Sequence, residues 1–450
     1  MNDPSAPWRL RALADDAGVR ATATTRIVAL VGAPVSIYLA ATHLAPRMQG
    51  FYFVAVNVIA LAQLFEIGLG TIVVQFASHE WPKLRWDGGG LEGDRGARVA
   101  VRAILRAALR WYGGAALSLV TIAGVGGALL YGSSYGGSVP AFAVLWCTFV
   151  VLTALYLLVV PFVAVAEGCG DLIAVQRMRS WQAVALFLAL WTGILTAGPL
   201  AAACFGAAAQ LAVALVWLLL RHGALVRGAR SASSLPDATI AGVAARYRME
   251  QFRSAQLWLS LWLAPQLLTP IVLKLHGGDD AGRLGVTLAI ALAPLTLALA
   301  WLHGRYPRLG ALVAEARYRE FDVLARRATI EAVAVLAAGA GALTGVVLLL
   351  PEIAPDVAAR VLPFWSLLAL FGGALASLLL QAMAGWLRAF RDEKISTPVV
   401  VGSLATVLVC VFAATVGGSS LVCVAYAVTG LGFAVPLATV HYLRVRRERL

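Results

Sequence analysis

Residues 139–166 read VPAFAVLWCTFVVLTALYLLVVPFVAVA, and this stretch decides the fold because it contains no charged side chain. About 20 apolar residues suffice for a helix to cross a bilayer, so the stretch predicts a membrane-spanning helix. The whole chain has 450 residues, 60% hydrophobic and 13% charged, with a mean hydropathy of +0.82. A soluble fold cannot bury that much apolar surface, and a disordered chain has the opposite bias. Both classes are excluded.

Similar apolar runs recur along the sequence. They predict an all-α, polytopic membrane protein with twelve transmembrane helices. The predicted spans lie near residues 24–44, 51–79, 111–132, 139–166, 181–198, 200–220, 255–275, 282–303, 329–350, 361–387, 396–416 and 420–443.

The distribution of charge supports this topology. The chain has 36 basic and 23 acidic residues, a formal net charge of +13. With the N-terminus inside, the outer segments hold four of the 36 basic residues, which leaves 32 inside. The four are Arg47, Lys274, Arg283 and Arg360. Cytoplasmic segments of membrane proteins retain Lys and Arg, so both termini are predicted to be cytoplasmic. The positive excess is thus a topology signal, and no nucleic-acid partner is expected.

No motif for catalysis or for a cofactor is found. The five cysteines and six histidines show no metal-ligand spacing, and phosphate-loop, hydrolase and zinc-protease motifs do not occur. The outer loops are too short to hold a catalytic domain. We therefore expect neither an enzyme nor a bound metal.

The two halves of the chain share landmarks in the same order. Pro34 and Pro265 lie in spans one and seven, and Trp81-Pro82 and Tyr306-Pro307 follow spans two and eight. Six spans in each half, both starting inside, predict a parallel repeat. The predicted domains are an N-terminal six-helix lobe, a cytoplasmic linker and a C-terminal six-helix lobe. They cover residues 1–220, 221–250 and 251–450.

Glu66 is the main candidate functional residue. A carboxylate in the middle of a span costs about 2.5 kcal/mol or more, so such residues usually serve a function. Gln63 lies one turn away on the same face. Glu66 could carry a proton, bind a cation or contact a polar substrate, or it could be hydrogen-bonded to a buried neighbour for packing alone.

Basic and amide side chains near the ends of spans one and seven form a second candidate group. Arg26 and Arg253 precede matching spans, and both could bind an anionic head group or act only as topology anchors. Gln256 lies one turn beyond Arg253. Lys274, near the outer end of span seven, could pair with an adjacent Asp or mark the exit of an anionic substrate.

Several short segments resemble a known transporter family. They are residues 50–52, 64–71 (Leu-Phe-Glu-Ile-Gly-Leu-Gly-Thr) and 75–77 in the first half, and 282–284, 306–309 and 315–327 in the second. The chain resembles Wzx-type O-antigen and exopolysaccharide flippases of the multidrug/oligosaccharidyl-lipid/polysaccharide (MOP) exporter superfamily. Arg253 and Lys274 match that family only by approximate position.

The resemblance implies a flippase in the bacterial cytoplasmic (inner) membrane. The cargo would be an undecaprenyl-diphosphate-linked oligosaccharide, moved by alternating access through a cavity lined by helices one, two, seven and eight. Arg26, Gln63, Glu66, Arg253, Gln256 and Lys274 would bind the substrate. Glu66 would couple transport to H⁺ or Na⁺. Membrane lipids, a polysaccharide polymerase and a chain-length regulator are the expected partners.

Two alternatives stay open at this point. One is a cation-coupled multidrug exporter of the same superfamily, although such proteins usually have more than one acid within their helices. The other is a membrane glycan polymerase or ligase, which needs the larger outer loops that this sequence lacks.

Overall fold

The computed structural model describes residues 17–66, 69–135, 138–231, 260, 264–303, 305–389 and 396–449. These ranges are almost entirely helical, which confirms the predicted all-α membrane class. Eight of the described helices are long and apolar enough to cross a membrane. The count of twelve spans and the cytoplasmic placement of both termini stay predictions.

The first part of the chain contains one hairpin among its helices. Its elements are α1 Ala17–His43, α2 Pro46–Glu66, α3 Leu69–Glu80, β1 Leu84–Asp87, β2 Gly90–Gly93, α4 Arg95–Leu119, α5 Gly127–Tyr131, α6 Val139–Gly168, α7 Leu172–Thr196 and α8 Pro199–Ser231.

The second part is helical wherever it is described. Its elements are α9 264–276, α10 Gly278–His303, α11 Tyr306–Ala314, α12 Tyr318–Ile353, α13 Pro355–Ala358, α14 Phe364–Ala389, α15 Ser396–Thr429 and α16 Val435–Arg449.

Two long helices each contain a π-helical turn. Val120–Gly126 joins α4 to α5, and the resulting helix is 40 residues long. Gly430–Ala434 joins α15 to α16 in a path of 51 residues, more than twice the length of about 20 that one crossing needs. This path breaks at Gly417 and Gly418, where Gly418 has φ of 74°. The break lies between two of the predicted spans.

By their contacts, the described residues form two compact units. Unit 1 contains residues 17–39, 69–132 and 138–231, and unit 2 contains residues 40–66, 133–135 and those from 260 onward. Helix α2 therefore belongs to unit 2. The predicted lobes 1–220 and 251–450 place it with the first half instead. Most of the predicted linker lies outside the described residues, and the two-lobe repeat stays a prediction.

One core cluster of unit 2 is rich in small side chains. In unit 2, Ala328, Ala332 and Ala374 are buried where α10, α12 and α14 meet. Small residues let helix backbones approach closely, which is the usual basis of helix association in lipid. Many other large apolar side chains, such as Leu348 and Leu349, are exposed on the helix surfaces. This distribution suits helices whose outer surfaces contact lipid.

The hairpin was not predicted from the sequence. Strands β1 and β2 pair antiparallel across Gly88 and Gly89, whose φ angles are 49° and 75°. Two successive positive φ angles are required by a type I′ turn, and Asp-Gly-Gly is a favourable sequence for it. The sequence Asp87-Gly88-Gly89-Gly90 therefore contained the signal.

The hairpin is attached to unit 1 by polar and aromatic contacts. Trp86 Nε1 donates to the backbone oxygen of Cys169 at 2.8 Å, and the Trp86 ring lies 4.3 Å from that of His222. Asp171 accepts two hydrogen bonds from Arg221, at 2.6 and 2.9 Å, and one from His222 Nε2 at 2.9 Å. The His222 side chain is only 3% exposed. Asp171 thus fixes the helix end on which the hairpin rests.

We predict that Asp171→Asn loosens the hairpin. It removes the charge that orients Arg221 and His222, at a cost of about 1–3 kcal/mol for the partners left unpaired. Limited proteolysis at residues 87–90 should therefore accelerate. Arg85→Gln is the matched control, because its ion pair with Glu92 is exposed and worth little. Equal cleavage rates for the two variants would contradict the role of Asp171.

Candidate functional site

The predicted site residues lie mainly outside the described side chains. The side chains that are not described are those of Arg26, Gln63, Glu66, Arg253 and Gln256. Lys274 lies exposed in the last turn of α9. The roles proposed for all six residues stay predictions.

The described half of α2 forms a close seam with α10. An added Cβ atom on Gly282 would lie 2.9 Å from the backbone oxygen of Pro46, and one on Gly50 would lie 2.5 Å from that of Gly278. At Gly285 an added Cβ would collide with the ring of Phe53. The two helix backbones are therefore in direct contact. Gly278 and Gly282 have the four-residue spacing of the small-residue motif that drives helix association in membranes.

The seam lies at one end of these helices, the end that the predicted topology places outside. We call it the base-poor end, because the predicted topology places only four of the 36 basic residues on that side of the membrane. It comprises residues 40–50, 133–135, 278–287 and 355–362. All of these residues belong to unit 2.

Gln49 fixes the corner between α1 and α2. Its side chain is fully buried, and its Nε2 donates towards the backbone oxygens of Ala40, Ala41 and Leu44 at 3.0, 3.2 and 3.4 Å. Carbonyl groups in the last turn of a helix have no partner within the helix. Gln49 supplies that partner, and the corner is held without a charged group.

Residues 133–135 are attached to the same end of α2. Arg47 donates from Nη2 and Nε to the backbone oxygen of Ser134 at 2.6 and 3.0 Å. The Phe51 and Tyr135 rings meet edge to face with centroids 5.0 Å apart. Single hydrogen bonds of this kind contribute about 0.5–3 kcal/mol each, so this end is closed by contacts that a conformational change can break.

A small polar cavity lies inside unit 2, where α9, α14 and α15 meet. Its volume is about 20 Å³, enough for one water molecule. Ser377 Oγ and Tyr426 OH are 3.0 Å apart, and Ser403 Oγ donates to the backbone oxygen of Ser260. The described residues that line it include no carboxylate. Elsewhere in the described chain, no group of His, Cys, Asp or Glu side chains is arranged to hold a metal ion.

The structure brings together two basic residues that the sequence analysis did not select. Arg283 and Arg360 lie 77 positions apart in sequence, yet both line one cleft at the base-poor end. In the sequence, both residues stand out because the predicted topology places them outside, whereas most basic residues lie inside. Their proximity could not be deduced without the fold.

Comparisons with known proteins identify the fold. No family model matches the sequence, and the search of curated proteins gives no match. Solved structures match over nearly the whole chain. A multidrug resistance MATE family transporter of the MOP superfamily, in an inward-facing conformation, has a TM-score of 0.67 at 11% identity. The alignment covers 94% of this chain and 96% of that one.

Two further structures support the same assignment. The lipid II flippase MurJ, in an inward closed conformation, has a TM-score of 0.64 at 11% identity, covering 93% of this chain and 87% of that one. An outward-facing MATE family transporter scores 0.56 at 13% identity, covering 96% of both chains. The chain therefore has the multi-pass membrane fold of MOP-superfamily transporters. At these identities the likeness concerns the fold alone.

We predict that Gly282→Ala destabilises the seam. The added methyl group meets backbone atoms of α2, and overpacking of this kind costs about 1–3 kcal/mol. The melting temperature of the purified protein should fall. Gly341→Ala is the control, since nothing lies within 4 Å of its added Cβ and Ala is the better helix former. A Gly282→Ala protein that melts at or above the wild type would contradict the close contact.

Proposed function

We propose that the protein is a Wzx-type flippase that moves an undecaprenyl-diphosphate-linked oligosaccharide from the inner to the outer leaflet of the bacterial cytoplasmic membrane. The product would serve the synthesis of O-antigen, exopolysaccharide or capsule. The main support is the likeness, over 93–94% of the chain, to both a lipid flippase and a multidrug transporter. Both are transporters rather than enzymes.

The seam supports an alternating-access mechanism. It closes the base-poor end of α2 and α10 through small residues, so the helices can separate without withdrawing large side chains from each other. Transport would require this seam to open.

The predicted polar residues supply the chemistry for an anionic cargo. A diphosphate cannot cross hydrocarbon unaided, and arginines bind phosphate groups through paired hydrogen bonds. In the proposed mechanism, Arg26 and Arg253 hold the diphosphate at the inner mouth, Gln63 and Gln256 bind sugar hydroxyls, and Lys274 assists release. The polyprenyl tail stays in the lipid.

Glu66 is the proposed coupling group. Binding of H⁺ or Na⁺ to its carboxylate would neutralise a charge in the middle of a span, and release of the ion would restore it. This change in charge could drive the return to the inward state. No bound cofactor takes part.

A cation-coupled multidrug exporter is the second candidate, and the likeness to MATE transporters supports it equally. The predicted arginines at the inner mouth favour an anionic cargo instead.

A glycan polymerase or ligase is less suitable, since the connections described at the base-poor end, such as residues 44–45 and 354–363, are short. A polymerase and a chain-length regulator would instead be partners of the flippase.

The test is deletion and complementation in a glycan-producing bacterium. We expect lipid-linked glycan to accumulate in the inner leaflet of the deletion strain and surface glycan to return with the wild-type protein. Glu66→Gln should restore at most about a tenth of the surface glycan, because it removes the coupling charge. The control is Glu352→Gln, since Glu352 is exposed in the last turn of α12.

Two outcomes contradict the proposal. One is unchanged surface glycan in a deletion strain that has no second flippase. The other is normal glycan with increased sensitivity to cationic drugs, which would establish the exporter.

A further inference from the structure

A cleft at the base-poor end of unit 2 has the size of a ligand site. Its volume is about 420 Å³, within the range of roughly 300–1,000 Å³ that is typical of small-molecule pockets. Three of its lining residues are charged. The lining consists of Ala41, Thr42, Pro46, Arg283, Asp356, Ala359 and Arg360.

Backbone contacts place the two arginines next to each other. Arg283 lies in the second turn of α10, and its Nη2 donates to the backbone oxygen of Val361 at 3.3 Å. One turn further, the fully buried Thr287 accepts a hydrogen bond from the backbone N–H of Leu362 at 2.9 Å. Residues 361 and 362 are thereby held against α10. Arg360, the residue before them, is therefore held on the cleft beside Arg283.

Both guanidinium groups are incompletely satisfied. Arg283 Nε and Arg360 Nη1 are buried and have no hydrogen-bond partner among the described residues. A buried donor without a partner is costly, and in native proteins it usually indicates an ordered water molecule, an ion or a ligand. The two residues that carry these donors both line the cleft, and a bound group that accepts several hydrogen bonds would suit their guanidinium groups.

The charge of the cleft also favours an anion. Within the described chain neither arginine forms an ion pair, and the acid that lines the cleft, Asp356, is exposed. Two arginines and one aspartate leave a net charge of +1. The nearby Arg47 is occupied by Ser134. The predicted topology places all these bases outside, where basic residues are not needed to set orientation.

We propose that this cleft binds a phosphate group. A guanidinium is a planar fork whose N–H groups match phosphate oxygens in pairs, and two forks can bind one phosphate or a diphosphate. The phosphate could belong to a phospholipid of the outer leaflet, to a polyprenyl diphosphate leaving the transport path, or to free phosphate. The binding site does not rest on the proposed function, because membrane phospholipids present the same chemistry.

The test measures binding to the purified full-length protein in a neutral detergent. The probes are inorganic phosphate, dihexanoyl phosphatidylglycerol and farnesyl diphosphate, with farnesol as the uncharged control. We expect at least one phosphate probe to raise the melting temperature saturably and farnesol to leave it unchanged. A response to farnesyl diphosphate alone identifies the cargo as the source. A response to phosphatidylglycerol alone identifies lipid, and a response to all three shows that phosphate suffices.

Substitutions assign the binding to the cleft. Arg283→Gln and Arg360→Gln should each raise the dissociation constant at least about tenfold, since each removes a charge-assisted pair of hydrogen bonds. Arg360→Lys keeps the charge but loses the fork, so its affinity should fall between the wild type and Arg360→Gln. Arg326→Gln is the matched control, because Arg326 is exposed elsewhere in unit 2.

Two results would overturn the site. One is the absence of any saturable shift with all three phosphate probes, which needs only the wild-type protein and so does not depend on the folding of a variant. The other is a folded Arg283→Gln/Arg360→Gln protein that binds within twofold of the wild type. Unchanged surface glycan in the deletion strain, together with intact cleft binding by the purified protein, would refute the proposed function and leave this site standing.

Discussion

The hydrocarbon core of a membrane offers no hydrogen-bond partners, so each backbone N–H and C=O within it must be bonded by the chain itself. The long helices of this protein meet that constraint, and side chains complete it where the helices are irregular. Trp146 Nε1 donates to the backbone oxygen of Ala123 in the π-helical turn after α4. Gln49 bonds the last carbonyl groups of α1. Thr153 and other buried hydroxyls donate to a carbonyl one turn back.

Because the backbone is satisfied within each helix, association depends on close packing and on a few polar contacts. The seam of α2 and α10 is an example of close packing, because Gly50 and Gly282 allow the two backbones to touch. The hydrogen bond from Arg283 to the backbone oxygen of Val361, next to Arg360, is an example of a polar contact. The proposed transport cycle requires a change of conformation, and contacts of both kinds can separate and form again. The base-poor end of unit 2 contains both the seam and the charged cleft.

The fold class was predictable from the sequence, because a run such as residues 139–166 has only one stable conformation in lipid. The hairpin was not predicted, although the glycines after Asp87 indicate its turn. The cleft could not be predicted, since Arg283 and Arg360 meet only through the packing of α10 against residues 361 and 362. For Glu66 the sequence predicts a role, which stays a prediction because its side chain lies outside the described residues.

The most direct measurement of the central claim is flipping in proteoliposomes. The purified protein would be reconstituted with a fluorescent undecaprenyl-diphosphate-linked oligosaccharide, and the fraction of label accessible to a membrane-impermeant quencher would be followed over time under H⁺ and Na⁺ gradients. The account predicts protein-dependent movement of the label between leaflets, with a rate that responds to one of the gradients. A rate equal to that of protein-free liposomes, in vesicles that accumulate a cationic drug, would contradict it.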